Sequence, residues 1–329
     1  MTMTSPDEDI GNPGTEVMQI TPGDLITTCC GPVKRCRAIT GREWAFAFAS
    51  ALTLFVSLGF TIERLIVLPK QSDDFTFALV LLFATFMCMY YVVHSIFKER
   101  PYEIVVYVLS TIVVLAYLIM SLSINPTSVL KMSRLIVAFL LTLPNIGLAC
   151  FVLYKYCSCW WFVFRMSPWA NFQSMLRLYF LCRSLITFDL QFQGSMLIFV
   201  LDTGSSLDLK EKLILGIGVP ITIAWLFCGL YGMKWENKAM TAVFFALSTF
   251  AFGYIIYRCC VLKAAQPAPI FFYATTFCAA IALLMHLFVV IMMFFVMRNY
   301  GKGIKDKLEL RPTPQSHPSV GFTLPEGPA

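Results

Sequence analysis

Charge is scarce in this chain. Asp, Glu, Lys and Arg make up 13% of its 329 residues, against roughly 25% in a soluble domain. So few charged side chains cannot cover a water-facing surface. Histidine is scarcer still, with three in all, which excludes the histidine-rich di-iron membrane enzymes. A haem with two axial histidines would have to use His94 and His286. In the topology argued below they differ in depth by about eight residues, or ~12 Å at 1.5 Å per residue, which does not suit one haem. There is no His-Glu-x-x-His, no Gly-x-x-x-x-Gly-Lys and no Gly-x-Ser-x-Gly, so metalloprotease, phosphate-loop and hydrolase chemistry lack their motifs. We expect no cofactor, no metal site and no catalytic residues.

Other absences bear on topology. The first 43 residues hold no short apolar core before a small-residue cleavage site, so no removable signal is read there. Asn125-Pro126-Thr127 is spoiled as a glycosylation acceptor by its proline, and no other Asn-x-Ser/Thr occurs. Twelve cysteines would suggest disulfides in a small secreted chain, but here they lie inside or beside apolar runs.

What the chain has in abundance is apolar sequence: 58% hydrophobic residues and a mean hydropathy of +0.73. The apolar residues are blocked into uncharged runs long enough to cross a bilayer, about 18 residues or more. Seven begin near Trp44, Phe75, Ile104, Leu135, Leu213, Ala239 and Pro269. An eighth segment, Leu178 to Leu201, carries charges. If it crosses, and both termini share one side, that side holds fifteen Lys and Arg against eight on the other; with seven crossings the split is fourteen to eleven. The larger asymmetry favours eight crossings with cytoplasmic termini, because cytoplasmic loops carry the excess of basic residues. A rhodopsin-like receptor, with seven crossings and an outside N-terminus, is thereby disfavoured.

The expected fold is an all-α polytopic membrane protein: a bundle of about eight transmembrane helices with an interfacial helix before the fifth. The interfacial helix would carry Trp160, Trp161, Trp169 and Arg177, since aromatic rings favour the membrane boundary and arginine can snorkel there. The organisation is a largely disordered cytoplasmic tail over 1–43, a helical domain over 44–297 and a second disordered tail over 298–329. The predicted spans are 44–62, 75–97, 104–124, 135–154, 178–201, 213–233, 239–257 and 269–297. The lipid bilayer is the expected partner, with anionic headgroups against the basic cytoplasmic face. The net charge of +6 therefore calls for no nucleic acid, and a homo-oligomer is compatible with the sequence.

The stretch FVLDTGSSLDL, Phe199 to Leu209, resembles the active-site loop of pepsin-like aspartic proteases. Those enzymes need two such aspartates between β-rich lobes. Asp202-Thr203-Gly204 stands without a second Asp-Thr-Gly or Asp-Ser-Gly and without strand patterning around it. The stretch reads instead as a turn. Gly204 suits the residue past a helix end, and Asp208 with Glu211 has the spacing of a capping box. The presenilin-type intramembrane pattern fails as well, because Gly216-Ile217-Gly218 is followed by Val219.

The fifth helix carries the candidate site. Each charge near the centre of an isolated helix costs about 2.5–3.5 kcal/mol on insertion scales, so Arg183, Asp189, Gln191 and Gln193 should have partners. Arg177, Arg183 and Asp189 are spaced by six residues, about 240° apart on a helix, which rules out a voltage-sensor stripe and an Arg183–Asp189 pair within the helix. Asn145 beside Pro144 in the fourth helix, Pro220 in the sixth and His286 in the eighth are further candidates for the same cavity. Intramembrane ionisable groups mark functional sites by default, and a freed carbonyl at a proline can line one. Separately, Cys29, Cys30, Cys36, Cys157 and Cys159 lie next to the membrane on the cytoplasmic side, where S-palmitoylation occurs. The sequence thus points to a small-solute or ion transporter or channel with a midplane polar site. The alternative is a scaffold, accessory subunit or regulator whose polar residues only bind helices together.

Overall fold

A computed structural model describes residues 25–28, 31–34, 39–67, 73–98, 100–124, 129–165, 170–200, 209–265 and 269–302. Among them are eight α-helices: α1 Gly41–Val67, α2 Asp73–Lys98, α3 Pro101–Ile124, α4 Val129–Arg165, α5 Ala170–Ile198, α6 Leu209–Lys234, α7 Lys238–Ala265 and α8 Pro269–Met297. A short antiparallel hairpin precedes them, β1 Leu25–Thr28 and β2 Gly31–Lys34, with Leu25 opposite Lys34. It falls in the segment for which the sequence predicts little structure.

Seven of the eight helices are long and apolar enough to cross a membrane, and α5 is the one that is not apolar enough. The protein is therefore an integral membrane protein with several crossings. Helices suit that setting because all their backbone groups pair within one segment. Their ends are capped by local side chains. Glu43 accepts the Thr40 N–H at 3.0 Å before α1, half of a capping box. Asn237 Oδ1 accepts the Ala239 N–H at 2.9 Å and caps α7. Proline opens α3 and α8, where the missing N–H is not needed. Gly301, at φ 82° past the end of α8, donates its N–H to Glu236 in the α6–α7 turn at 2.8 Å.

Pro144 and Pro220 lie inside helices that continue through them. Trp160 and Trp161 fall in the last turns of α4 and Arg177 in the first turns of α5; Trp169 and the Asp202-Thr203-Gly204 stretch lie outside the described residues.

Side-chain contacts fix helix directions. Tyr91 reaches Thr187 and the Phe83 ring lies against Gly194, so α2 runs opposite to α5. Tyr254 and Arg258 reach Met196 and Phe199, so α7 runs with α5. Ser50 meets Asn145 and Thr61 meets Arg134, so α1 and α4 are antiparallel. Tyr300, just past α8, meets Thr241 at the start of α7, and the first turns of α1 flank the last turns of α2, so the start of α1 and the end of α8 lie at the same end of the bundle. The most fully buried helix segment lies in α5, which packs against α8, α6, α2 and α3. Its side chains join both apolar cores: Phe188, Phe192, Met196 and Phe199 in one, Tyr179, Cys182, Leu185 and Ile186 in the other. From Cys182 to Val200 no residue of this segment is exposed.

Candidate functional site

Four helices bring polar groups together halfway along α5. Asp189 and Gln193 stand one turn apart and bond directly, Gln193 Nε2 donating to Asp189 Oδ2 at 2.7 Å, the i,i+4 geometry of neighbours on a helix face. His286 on α8 closes the cluster, with Nδ1 2.6 Å from Asp189 Oδ2 and 3.0 Å from Gln193 Nε2. Asp189 and His286 are both 0% exposed. The other imidazole nitrogen, Nε2, lies 3.2 Å from the Ser248 carbonyl oxygen on α7. A carbonyl only accepts, so Nε2 carries a proton and Nδ1 shares a second with Asp189. Whether written as imidazolium and carboxylate or as imidazole and carboxylic acid, the pair has no net charge.

Aromatic rings surround the cluster. Phe252 meets the imidazole edge-on at 4.6 Å, and Trp225 lies 5.4 Å from it. Trp225 Nε1 donates to Ser248 Oγ at 2.8 Å, tying α6 to α7 at the same level. One atom is left over: Asp189 Oδ1 is buried and bonds to no described residue.

The remaining candidates divide among other groups. Gln191, about 200° around the helix from Asp189, accepts from Ser110 on α3 at 2.8 Å, and Cys88 on α2 lies 3.2 Å from that hydroxyl. Asn145 sits between α1 and α3, accepting from Ser50 at 3.0 Å and donating to Tyr107 at 2.6 Å. Arg183 lies toward one end of the bundle, close to Tyr90 and Arg100. Nearby, His94 bonds Glu103, Arg100 Nη1 lies 3.5 Å from Glu103 Oε1, and the Arg100 guanidinium covers the Phe180 ring at 4.8 Å. Burial, and then the neighbouring Arg183 charge, hold the Arg100 guanidinium below its ordinary pKa. So Asp189, Gln193 and His286 form one site, while Gln191, Asn145 and Arg183 belong to three others. Cys157 is exposed on α4, and Cys159 belongs to the end of the same helix; Cys29, Cys30 and Cys36 lie outside the described residues.

Sequence reasoning missed Ser248, Trp225, Ser110, Tyr107 and Glu103. Serines and aromatic residues inside apolar runs carry no distinguishing signal. Glu103 did carry one: as the first acidic residue of an apolar helix it marks a charge at the membrane boundary.

A cleft of about 280 Å³ adjoins the site between α5, α6 and α7. Gln193 and Trp225 stand in its wall, and the rest of the lining is almost wholly apolar.

No curated protein and no solved structure matches the chain. A family does match, over residues 30–154 and 164–295, a range that takes in all eight helices and every residue of the site. The chain belongs to that family, DUF7789, described as a domain of unknown function.

Proposed function

We propose that the protein is a membrane transporter or channel for a small solute or ion, with Asp189, Gln193 and His286 as its intramembrane site. On this reading α5 is an eighth crossing, the helix ends shared by α1 and α8 are cytoplasmic, and the protein carries out no chemistry on its solute. The observation that carries it is the free oxygen of Asp189. Helix-binding networks satisfy their buried polar atoms, and an unmade bond at a buried oxygen costs about 1–3 kcal/mol. A site that must take up and release a proton or a solute has reason to keep such an atom open. The pair's neutrality supports the same role, since a neutral pair can sit at midplane without the cost of a lone charge.

The second reading, a scaffold, accessory subunit or regulator, draws support from Phe252 and Trp225, which pack the imidazole as a core residue.

Water access separates the two. Single cysteines at 189, 182 and 196, in a background stripped of native cysteines, are exposed to a small membrane-impermeant thiol reagent. Transport predicts reaction at 189 and none at 182 or 196. Silence at 189 in a folded, inserted protein removes the transport reading and leaves the structural one.

A further inference from the structure

The Asp189 cluster is closed along the bundle axis. Toward one end, Cys182, Ile186 and Met293 are fully buried and in contact; toward the other, Met196 and Phe199 are fully buried. At that second end Arg258 Nη2 donates to the Phe199 carbonyl at 2.5 Å, so a cation caps the last turn of α5. The side of the bundle is different. The cleft between α5, α6 and α7 reaches Gln193, and its lining includes residues that are more than half exposed: Leu213 64%, Ile217 53% and Phe250 67%. α6 and α7 are both long and apolar enough to cross a membrane, so this mouth opens onto acyl chains.

Hydrogen-bond bookkeeping narrows what can enter. Among the described residues, none that lines the cleft is charged. Three of its donors are already used: Thr222 Oγ1 donates to the Gly218 carbonyl at 2.9 Å, Trp225 Nε1 to Ser248, and Tyr254 OH to the Met196 carbonyl at 3.2 Å. Gln193 Nε2 donates to Asp189; because His286 Nδ1 already shares a proton with Asp189, the second Gln193 hydrogen has no acceptor among the described residues. An acceptor remains. The Gln193 side-chain oxygen takes a hydrogen bond from no described residue. Among the described residues the cleft has a free amide acceptor and no charged side chain, which suits a neutral molecule that donates.

We propose that this cleft binds a neutral membrane lipid with a hydroxyl head and an apolar body, such as a long-chain alcohol or a sterol, which enters between α6 and α7 and donates its hydroxyl to Gln193. The site is independent of the transport reading and holds for a scaffold equally well. Bound there, the lipid would touch the residue that holds Asp189 and His286 in place.

The test uses the full chain in phosphatidylcholine nanodiscs and a hexadecanol carrying a photoreactive diazirine on its chain, beside the matching alkane. Crosslinked residues are located by mass spectrometry. Adducts are expected within 213–225 and 247–255, displaced by excess hexadecanol and not by hexadecane or palmitate. Gln193→Leu should weaken the displacement by about fivefold, the worth of one hydrogen bond. Ala251→Trp, which fills the cleft from a partly exposed position, should abolish the adducts while the protein stays folded. Equal labelling by alcohol and alkane, or displacement by palmitate, would overturn the proposal by reducing the cleft to ordinary lipid contact. Reactivity at 189 in the thiol experiment, with no hydroxyl-dependent labelling, would keep transport and sink this site; the reverse outcome would do the opposite.

Discussion

α5 and α6 follow one another in the chain, have 29 and 26 residues, and are built on opposite plans. α6 is apolar nearly all round and shows Leu213, Ile217, Ile223 and Phe227 to the outside, keeping Trp225 within. α5 carries Arg183, Asp189, Gln191 and Gln193 and shows none of its residues from Cys182 onward. In water the more polar of two helices lies outside. In a bilayer the apolar helix can face lipid at no cost, and the polar one is driven to the centre, where other helices meet its hydrogen-bonding needs. Composition here marks position in the bundle, with the sign reversed from that of a soluble protein.

Five substitutions press on that contrast. The largest effect belongs to His286→Leu, which strands a buried carboxylate and should cost about 3–5 kcal/mol. The double change with Asp189→Leu should lose less than the single one, because no orphaned charge remains; thermal unfolding in detergent compares them. If the double variant is the worse, the pair contributes more than its own burial. On α6, Ile223→Asp should behave as a charge facing lipid and cost about 2.5–3.5 kcal/mol on insertion scales, seen as a smaller fraction retained in membranes after alkaline extraction. An unchanged fraction would mean that this face of α6 is covered.

The glycines give a finer comparison. A Cβ on Gly194 of α5 would stand 2.5 Å from the Phe83 ring, whereas one on Gly216 of α6 meets nothing within 4 Å. Gly194→Ala should therefore lower stability by about 1–3 kcal/mol through overpacking. Gly216→Ala should raise it by roughly 0.5–1 kcal/mol, the helix propensity difference. Both are read from the unfolding midpoint, and equal shifts would contradict the placement of α5 at the centre.

These distinctions were unequally legible in the sequence. Apolar runs announced seven of the eight helices, because span length is a property of the segment alone, while α5 was read only from the balance of Lys and Arg between the two sides. Their ends were less clear. α4 runs from Val129 to Arg165, beyond the 135–154 read from the sequence, since Lys155, Trp160 and Trp161 break the apolar run without breaking the helix. The Asp189–Gln193 pair was there to be read at i,i+4, and the 240° between Arg183 and Asp189 already separated those two. What no pattern carried was the identity of partners on other helices. Ser110 lies 81 residues from Gln191, and Ser248 lies 38 from His286. Each is an ordinary serine in an apolar run, selected by packing between helices.

The pairing of Asp189 with His286 spans 97 residues, and a ribosome crosses that distance in about 5–20 s at ~5–20 residues per second. For that interval α2 and α3 exist and α8 does not. If α5 crosses the membrane, its half toward Ser110 and Tyr91 has neighbours as soon as it is made, while its carboxyl group waits for the last helix to be synthesised. The protein's assembly thus has a deadline. A chain stalled or truncated before Pro269 would hold a helix with an acid and no base, the form that quality control in the membrane is best placed to recognise.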